Sequence, residues 1–150
     1  MHIRLASDAD YDAVLALMRQ LNTDDPDIDE RLGRQVFSSI LEASGLSVYL
    51  VEVGGKPVAT CYLNVIPNLT RGGRSYALIE NVVTDKNHRK SGIGTALLKQ
   101  VMSRAFSLDC YKVMLLTGRD SKVHTFYEKC GLEKHSKTAF IKRSVGEQQA

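Results

Sequence analysis

Ten residues near the middle of the chain constrain the fold most strongly, because they join a strand-like segment to a helix-like one. They read Asn-His-Arg-Lys-Ser-Gly-Ile-Gly-Thr-Ala over residues 87–96. A strand-like run precedes them over 79–84, and apolar residues recur at helical spacing over 96–106. The pattern predicts a strand–turn–helix unit with glycines and basic side chains at the start of the helix.

The predicted start of this helix has the properties of an anion-binding site. The first N–H groups of a helix have no partner within it, and the helix dipole adds partial positive charge there. Gly92 and Gly94 lack a Cβ, so a ligand can approach the backbone closely. Arg89 and Lys90 add full charges. The segment therefore predicts a site for a polyanion such as a pyrophosphate.

Three kinds of phosphate loop can be compared with this segment. A P-loop ends in Gly-Lys-Ser/Thr, and no such ending is present. The dinucleotide fingerprint G-x-G-x-x-G needs a third small residue, but Leu97 stands in that place. The remaining pattern is Arg89-x-x-Gly92-x-Gly94.

This pattern resembles the acyl-CoA pyrophosphate loop of the GCN5-related N-acetyltransferase (GNAT) family, written Q/R-x-x-G-x-G/A. Residues 112–117 then read as a short buried strand, and residues 120–132 are similar to the family's N-x-x-A-x-x-x-Y-x-K-x-G-F segment. The resemblance implies an α+β fold: a GNAT-like single domain over residues 1–145, whose mixed, mostly antiparallel central sheet is flanked by helices. Residues 146–150 are expected to be a frayed tail.

The resemblance also implies a reaction, in which an acetyl group passes directly from acetyl-CoA to a primary amine of a small molecule within a ternary complex. Tyr127 stands where the family has a tyrosine near the CoA sulfur, and a phenol there would protonate the departing thiolate. Glu80 lies inside an apolar strand and would take the proton of the amine or attract a cationic substrate. Each residue has a structural alternative: a packed aromatic beside Phe126, and an edge-facing or ion-paired carboxylate.

The cofactor contacts that the resemblance implies follow the strand, the loop and the last helix. The predicted residues are Val82, Val83, Thr84, Arg89, Lys90, Ser91, Gly92, Ile93, Gly94, Thr95 and Asp120. Asp120 replaces the usual asparagine, so it can accept a hydrogen bond from the cofactor but cannot donate one. His124 is expected to be a helix-surface histidine rather than a proton shuttle, and Cys130 an inert thiol at a helix C-terminus.

Periodicity predicts the other elements of the chain. Helices are expected over 10–22 and 28–43, and strands over 2–6, 46–53, 56–69, 75–84 and 137–143. Gly54-Gly55 predicts a tight hairpin turn.

Composition places limits on the class of protein. A chain of 150 residues with 43% hydrophobic residues fits one globular domain. A net charge of +3 without an aromatic–basic stripe does not indicate nucleic-acid binding. Three widely spaced cysteines, no signal-peptide pattern and no long apolar run predict a cytoplasmic protein without a metal site or membrane span. A homodimer is compatible with the resemblance, since many family members dimerise.

The acceptor amine is left open by the sequence. The acidic loop around residues 24–30 would favour a cationic amine, although solvated loops are often acidic for no such reason. The segments 110–112 and 126–131 also resemble the glucosamine-phosphate N-acetyltransferase branch, in which case Arg71 and Arg74 would meet a sugar phosphate. The alternatives are a protein-lysine acetyltransferase, a non-catalytic acyl-CoA sensor on the same fold and, more remotely, a nucleotide-binding oxidoreductase.

Overall fold

The computed structural model describes residues 1–118, 121–134 and 138–144. The chain divides into two compact units, Met1–Leu115 and Leu116–Ala150. The first unit contains a five-stranded sheet and three α-helices, and the described part of the second contains one α-helix.

The first unit is built on one five-stranded sheet with the strands in sequence order. The strands are β1 (His2–Leu5), β2 (Leu46–Val53), β3 (Lys56–Ile66), β4 (Tyr76–Thr84) and β5 (Val113–Leu115). Neighbouring strands are antiparallel except β4 and β5, which are parallel. The predicted mixed, mostly antiparallel sheet is therefore confirmed.

The first unit also has three α-helices, α1 (Tyr11–Leu21), α2 (Glu30–Glu42) and α3 (Ile93–Ser107), and the second unit has α4 (Ser121–Lys129). Asp29 begins α2 as its N-cap, where its carboxylate accepts a hydrogen bond from the backbone N–H of Leu32 at 3.0 Å. The apolar stripes of α1 and α2 bury Val14, Leu17 and Phe37 in a shared core.

The sheet carries helices on both faces because successive strand residues point to opposite sides. Val48 and Leu50 of β2 belong to the core beneath α1 and α2, whereas Tyr49 between them interacts with Arg104 of α3. On the α3 face, Leu97, Leu98 and other residues of one helical stripe are completely buried. In the strand order of this sheet, β4 lies between β3 and β5.

The tight turn between β2 and β3 agrees with its prediction. Gly54 and Gly55 both have positive φ, 59° and 75°, as a two-residue hairpin turn of the primed type requires. The strand that follows ends at Ile66, directly before Pro67, which cannot donate to a ladder.

Several boundaries differ from the sequence prediction: β3 ends at Ile66 and not at residue 69, and β5 covers Val113–Leu115 and not 112–117. The helix expected over 96–106 begins at Ile93, because Ile93 is buried and continues the stripe of Leu97 and Val101 by one turn. The strand expected over 137–143 is wrong for its described part, since residues 138–143 are assigned to no strand. Phe140 there is 93% exposed, so this segment presents an apolar side chain to solvent instead of burying it on a sheet.

Candidate active site

The loop between β4 and α3 has the backbone geometry of an anion site. Gly92 is the N-cap of α3 with φ 83°, a left-handed conformation, and its carbonyl accepts from the N–H of Ala96 at 3.0 Å. Lys90 is also left-handed, with φ 62°. Where right-handed and left-handed backbone conformations alternate, successive N–H groups point to the same side. They then form a concavity that can hold an anion. A Cβ added at Gly92 would meet nothing within 4 Å, so glycine is required there by conformation and not by crowding.

The basic side chains of the loop are available to a ligand. Arg89 and Lys90 are exposed. Arg89 donates from Nε to the carbonyl of Thr84 at 3.1 Å, which orients the guanidinium and uses only one of its five donors. Ser91 donates to the carbonyl of His88 and closes the turn. The loop therefore combines backbone donors with exposed positive charge.

Asp85 holds the start of this loop and was not identified from the sequence. Its carboxylate accepts hydrogen bonds from the N–H of Asn87, the ring of His88 and the side-chain amide of Gln20. These bonds, first that from Gln20, lower the pKa of Asp85 to about 2, so it is ionised at neutral pH.

An irregularity in β4 lies one residue after Glu80. The pairs Thr60–Val83 and Tyr62–Glu80 show that two steps along β3 correspond to three along β4, so β4 contains one extra residue. Asn81 has φ 54°, and asparagine tolerates this left-handed conformation better than most residues. The extra residue forms a β-bulge, which leaves backbone groups outside the ladder and re-aims the neighbouring side chains.

The second half of β4 has an edge that β5 does not cover. The parallel ladder runs from Ala77–Val113 to Ile79–Leu115 and ends there, while β4 continues to Thr84. On its other side, β4 remains paired with β3 through Val83 and Thr84. Backbone groups of residues 80–84 therefore lie beyond the β5 ladder, directly before the anion-binding loop.

Glu80 is half-buried and lies opposite Tyr62 on β3. Burial raises the pKa of Glu80 above its usual value, and burial raises the pKa of Tyr62 as well. Within the described residues, no ion pair or hydrogen bond to the Glu80 carboxylate is found, so the ion-paired alternative has no support there. A partly desolvated carboxylate next to a bulge is suited to accept a proton.

The predicted residues of the last helix lie in the second unit. Tyr127 is on α4 and its ring lies 5.1 Å from that of Phe126, at a tilted angle. His124 bonds through Nε2 to the carbonyl of Gly118 at 2.6 Å, which agrees with a structural histidine. Cys130 is buried, as expected of an inert thiol. Asp120 lies outside the described residues.

The acidic loop of the sequence forms one wall of a groove of about 460 Å³ between α1 and α2. The groove is lined by Leu15, Met18, Arg19, Asp25, Pro26, Asp27, Ile28, Asp29 and Leu32. Asp27 pairs with Arg19 at 2.9 Å and Asp29 caps α2, so two of the three carboxylates already have a structural partner. A volume of this size is within the range of small-molecule sites.

Arg71 and Arg74, the arginines expected to meet a sugar phosphate, lie at the turn before β4. Arg74 pairs with Asp109 at 2.8 Å, and the Arg71 guanidinium lies 5.8 Å from the ring of Tyr111. Six residues of mostly extended chain, about 20 Å between Cα atoms, separate Arg74 from Glu80 along β4.

Neither a metal-binding cluster nor a helix suited to span a membrane occurs in the parts of the chain that the structure describes. No group of three or more His, Cys, Asp or Glu side chains is arranged there to hold a metal ion. None of the helices there combines the length and apolar character needed to cross a membrane.

Comparison with known proteins agrees with this geometry. The family model described as "Acetyltransferase (GNAT) family" matches residues 14–132. Glucosamine 6-phosphate N-acetyltransferase of Trypanosoma brucei brucei is 30% identical over 91% of this chain and 92% of its own length. A candidate acetyltransferase from Agrobacterium tumefaciens has a solved structure with a TM-score of 0.93 and 43% identity, over 96% of this chain and 100% of that one.

A third relative links the sequence and structure comparisons. The crystal structure of glucosamine-6-phosphate N-acetyltransferase from Arabidopsis thaliana has a TM-score of 0.80 at 25% identity, and the match covers 96% of this chain and 97% of that one. The family match spans both the predicted pyrophosphate loop and the segment around Tyr127. The chain therefore belongs to the acetyltransferase (GNAT) family of acetyl-CoA-dependent N-acetyltransferases, as its sequence predicted.

Proposed function

We propose that this protein transfers an acetyl group from acetyl-CoA directly to a primary amine of a small molecule, with both substrates bound together. The observation that carries the proposal is the part of β4 beyond the β5 ladder, which leads directly into a positively charged helix start. An extended amide-containing arm that ends in a pyrophosphate has the shape and charge to follow this path.

The loop and β4 are proposed to bind different parts of acetyl-CoA. Backbone N–H groups at Gly92, Ile93, Gly94 and Thr95, together with Arg89, Lys90 and the Ser91 hydroxyl, hold the pyrophosphate. The backbone of Val82, Val83 and Thr84 pairs with the amides of the pantetheine arm. Asp120 accepts a further hydrogen bond from the cofactor.

The chemistry assigned to the protein is proton movement and positioning. Acetyl-CoA supplies a thioester that is already activated for transfer. Glu80, directly or through a water, takes the proton of the incoming ammonium so that a neutral amine can attack. Tyr127 donates a proton to the departing thiolate. A backbone N–H near the bulge at Asn81 polarises the thioester carbonyl.

Two observations bear on the acceptor, and they favour different amines. Relatives named glucosamine 6-phosphate N-acetyltransferase support an amino-sugar phosphate. The carboxylate-lined groove beside α1 favours a cation over a phosphate. Both are small-molecule amines, and a single acceptor screen separates them.

The screen measures CoA release and identifies the product by mass spectrometry, with glucosamine 6-phosphate, spermidine and a lysine-containing peptide as acceptors. The proposal expects N-acetylation of at least one of the two small amines. Modification of the peptide alone would indicate a protein-lysine acetyltransferase instead. Binding of acetyl-CoA without turnover on any acceptor would indicate a sensor.

Three further features belong to the same proposal. Residues 1–145 are proposed to act as one catalytic domain, with 146–150 as a tail. A cytoplasmic location is supported by Cys61 and Cys110, which are buried as reduced thiols. A homodimer without a nucleic-acid partner is supported by the family and by the modest net charge of +3.

A further inference from the structure

A hydrogen-bonded bridge joins α1 to the first residues of the cofactor loop across more than sixty positions of sequence. The Gln20 side chain donates from Nε2 to Oδ2 of Asp85 at 2.9 Å. Its Oε1 accepts from the backbone N–H of Lys86, also at 2.9 Å. Both ends of one amide are thus used on two consecutive residues of the loop, which fixes the direction of the amide as well as its position.

Asp85 is also hydrogen-bonded to the turn that precedes Arg89. Its Oδ1 accepts from the N–H of Asn87 at 2.9 Å and lies 3.1 Å from Nδ1 of His88, and its carbonyl accepts from the N–H of His88 at 2.8 Å. Its own N–H donates to the carbonyl of Val58 on β3 at 2.8 Å. The turn at residues 85–88 is therefore tied to the sheet at one end and to α1 at the other.

The charge of Asp85 is unfavourable for the binding of an anion. A carboxylate four residues before Arg89 partly cancels the attraction that the loop's cations exert on a pyrophosphate. The donors that keep it ionised are mainly neutral amides, from Gln20 and Asn87, with His88 beside them. The presence of Asp85 beside an anion-binding loop is best explained by the turn that its hydrogen bonds hold in place.

We propose that Gln20 and Asp85 are positioning residues that set the geometry of the pyrophosphate loop and couple it to α1. The inference rests on the proposed function, because it assumes that the loop holds the pyrophosphate of acetyl-CoA. The same helix contributes Leu15, Met18 and Arg19 to the groove beside the acidic loop. Any ligand that shifts α1 from that groove changes the loop through Gln20, and linkage makes the effect reciprocal.

The test compares two acetyl donors, of which only one contains the pyrophosphate that the loop would hold. Acetyl-CoA carries the pyrophosphate, whereas S-acetylpantetheine ends before it. The variant Gln20→Met keeps the length of the side chain and removes both hydrogen bonds. Gln35→Met is the matched control, since Gln35 is an exposed helical glutamine on α2 whose side chain makes no hydrogen bond to another described residue.

The expected result is a loss of about five- to tenfold in kcat/KM for acetyl-CoA in Gln20→Met, carried mainly by KM. The kcat/KM for S-acetylpantetheine should remain unchanged in this variant, and both donors should be unaffected in Gln35→Met. A general loosening of the fold would lower the rate with both donors, and that result would overturn the positioning role.

A double-mutant cycle with Asp85→Asn gives a second, independent readout. The asparagine amide has one acceptor oxygen where Asp85 has two, so it cannot accept from both the Gln20 amide and the N–H of Asn87. The loss of acetyl-CoA affinity caused by Gln20→Met is expected to be smaller in the Asp85→Asn background than in the wild type, whereas equal losses in the two backgrounds would contradict the bridge.

The failure of this inference differs from the failure of the proposed function. If the wild-type protein binds no acetyl-CoA in calorimetry, the proposed function fails and the bridge has no cofactor to position. If the wild type binds acetyl-CoA and Gln20→Met binds it equally well, only the positioning role is overturned.

Discussion

The surroundings of Glu80 disfavour the ionised form of its carboxylate. It is half-buried next to the bulge in β4, and this burial raises its pKa. A carboxylate with a raised pKa is a stronger base toward an ammonium group, but the protein bears the cost of keeping it ionised. The same property that would serve proton transfer is therefore expected to reduce stability at neutral pH.

This cost predicts the behaviour of Glu80→Gln. The pKa of Glu80 is higher in the folded than in the unfolded protein. Its contribution to the stability of the fold is therefore fully present below the unfolded pKa and is lost as the pH rises through the folded pKa. The neutral amide avoids that loss, so the variant should have a higher Tm than wild type at pH 8 and no advantage at pH 4. If Glu80 is the base, kcat should fall by about 100-fold.

Thermal melts at the two pH values and steady-state acetyl transfer measure both effects. Glu133→Gln, at an exposed position, is the control and should change neither quantity. An unchanged kcat together with a raised Tm at pH 8 would show that Glu80 is a buried carboxylate without a catalytic role.

At the scale of elements, the contact between α1 and α2 is unusually close. The Tyr11 hydroxyl is buried and has no hydrogen-bond partner among the described residues, and it lies where Gly33 leaves space. A Cβ at Gly33 would lie 1.9 Å from that hydroxyl oxygen and 2.9 Å from the ring carbon that bears it. Tyr11 is only 5% exposed and packs against Phe37 at 5.9 Å, so it has little freedom to move away.

Gly33→Ala should therefore destabilise the protein by about 1–3 kcal/mol through overpacking, despite the better helix propensity of alanine. Tyr11→Phe removes the unpartnered hydroxyl and should be neutral or stabilising. In the Tyr11→Phe background, Gly33→Ala should cost clearly less, because the closest atom is gone. Urea unfolding of the four proteins measures this, and equal costs in both backgrounds would refute the contact.

The elements show which local signals were sufficient for prediction. The strand β2 was predicted with its observed bounds, since β-branched and aromatic residues end abruptly at the Gly54-Gly55 turn. The bulge at Asn81 was missed, because an inserted residue in a strand changes no composition and only its φ of 54° reveals it. Asparagine after Glu80, inside an apolar strand, was the available signal, since asparagine is enriched at left-handed positions.

At the scale of the whole molecule, contiguous parts of the site could be predicted and long-range parts could not. Arg89, Gly92 and Gly94 act together because a turn and a helix start bring near neighbours in sequence to one place. Gln20 and Asp85 meet only because α1 packs against the end of β4, and no spacing in the sequence encodes that contact. The family match confirmed the fold that the contiguous motif had indicated.

The central claim is that the helix start at Gly92 binds acetyl-CoA, and calorimetric titration of acetyl-CoA tests it most directly. Wild type is compared with Gly92→Ala and with Gly55→Ala, which imposes the same kind of strain in the β2–β3 turn, at φ 75° and with nothing within 4 Å of the added Cβ. We predict a Kd of about micromolar order for wild type and Gly55→Ala, and binding weakened by about tenfold or more in Gly92→Ala. No binding to wild type, or equal binding by all three proteins, would contradict the claim.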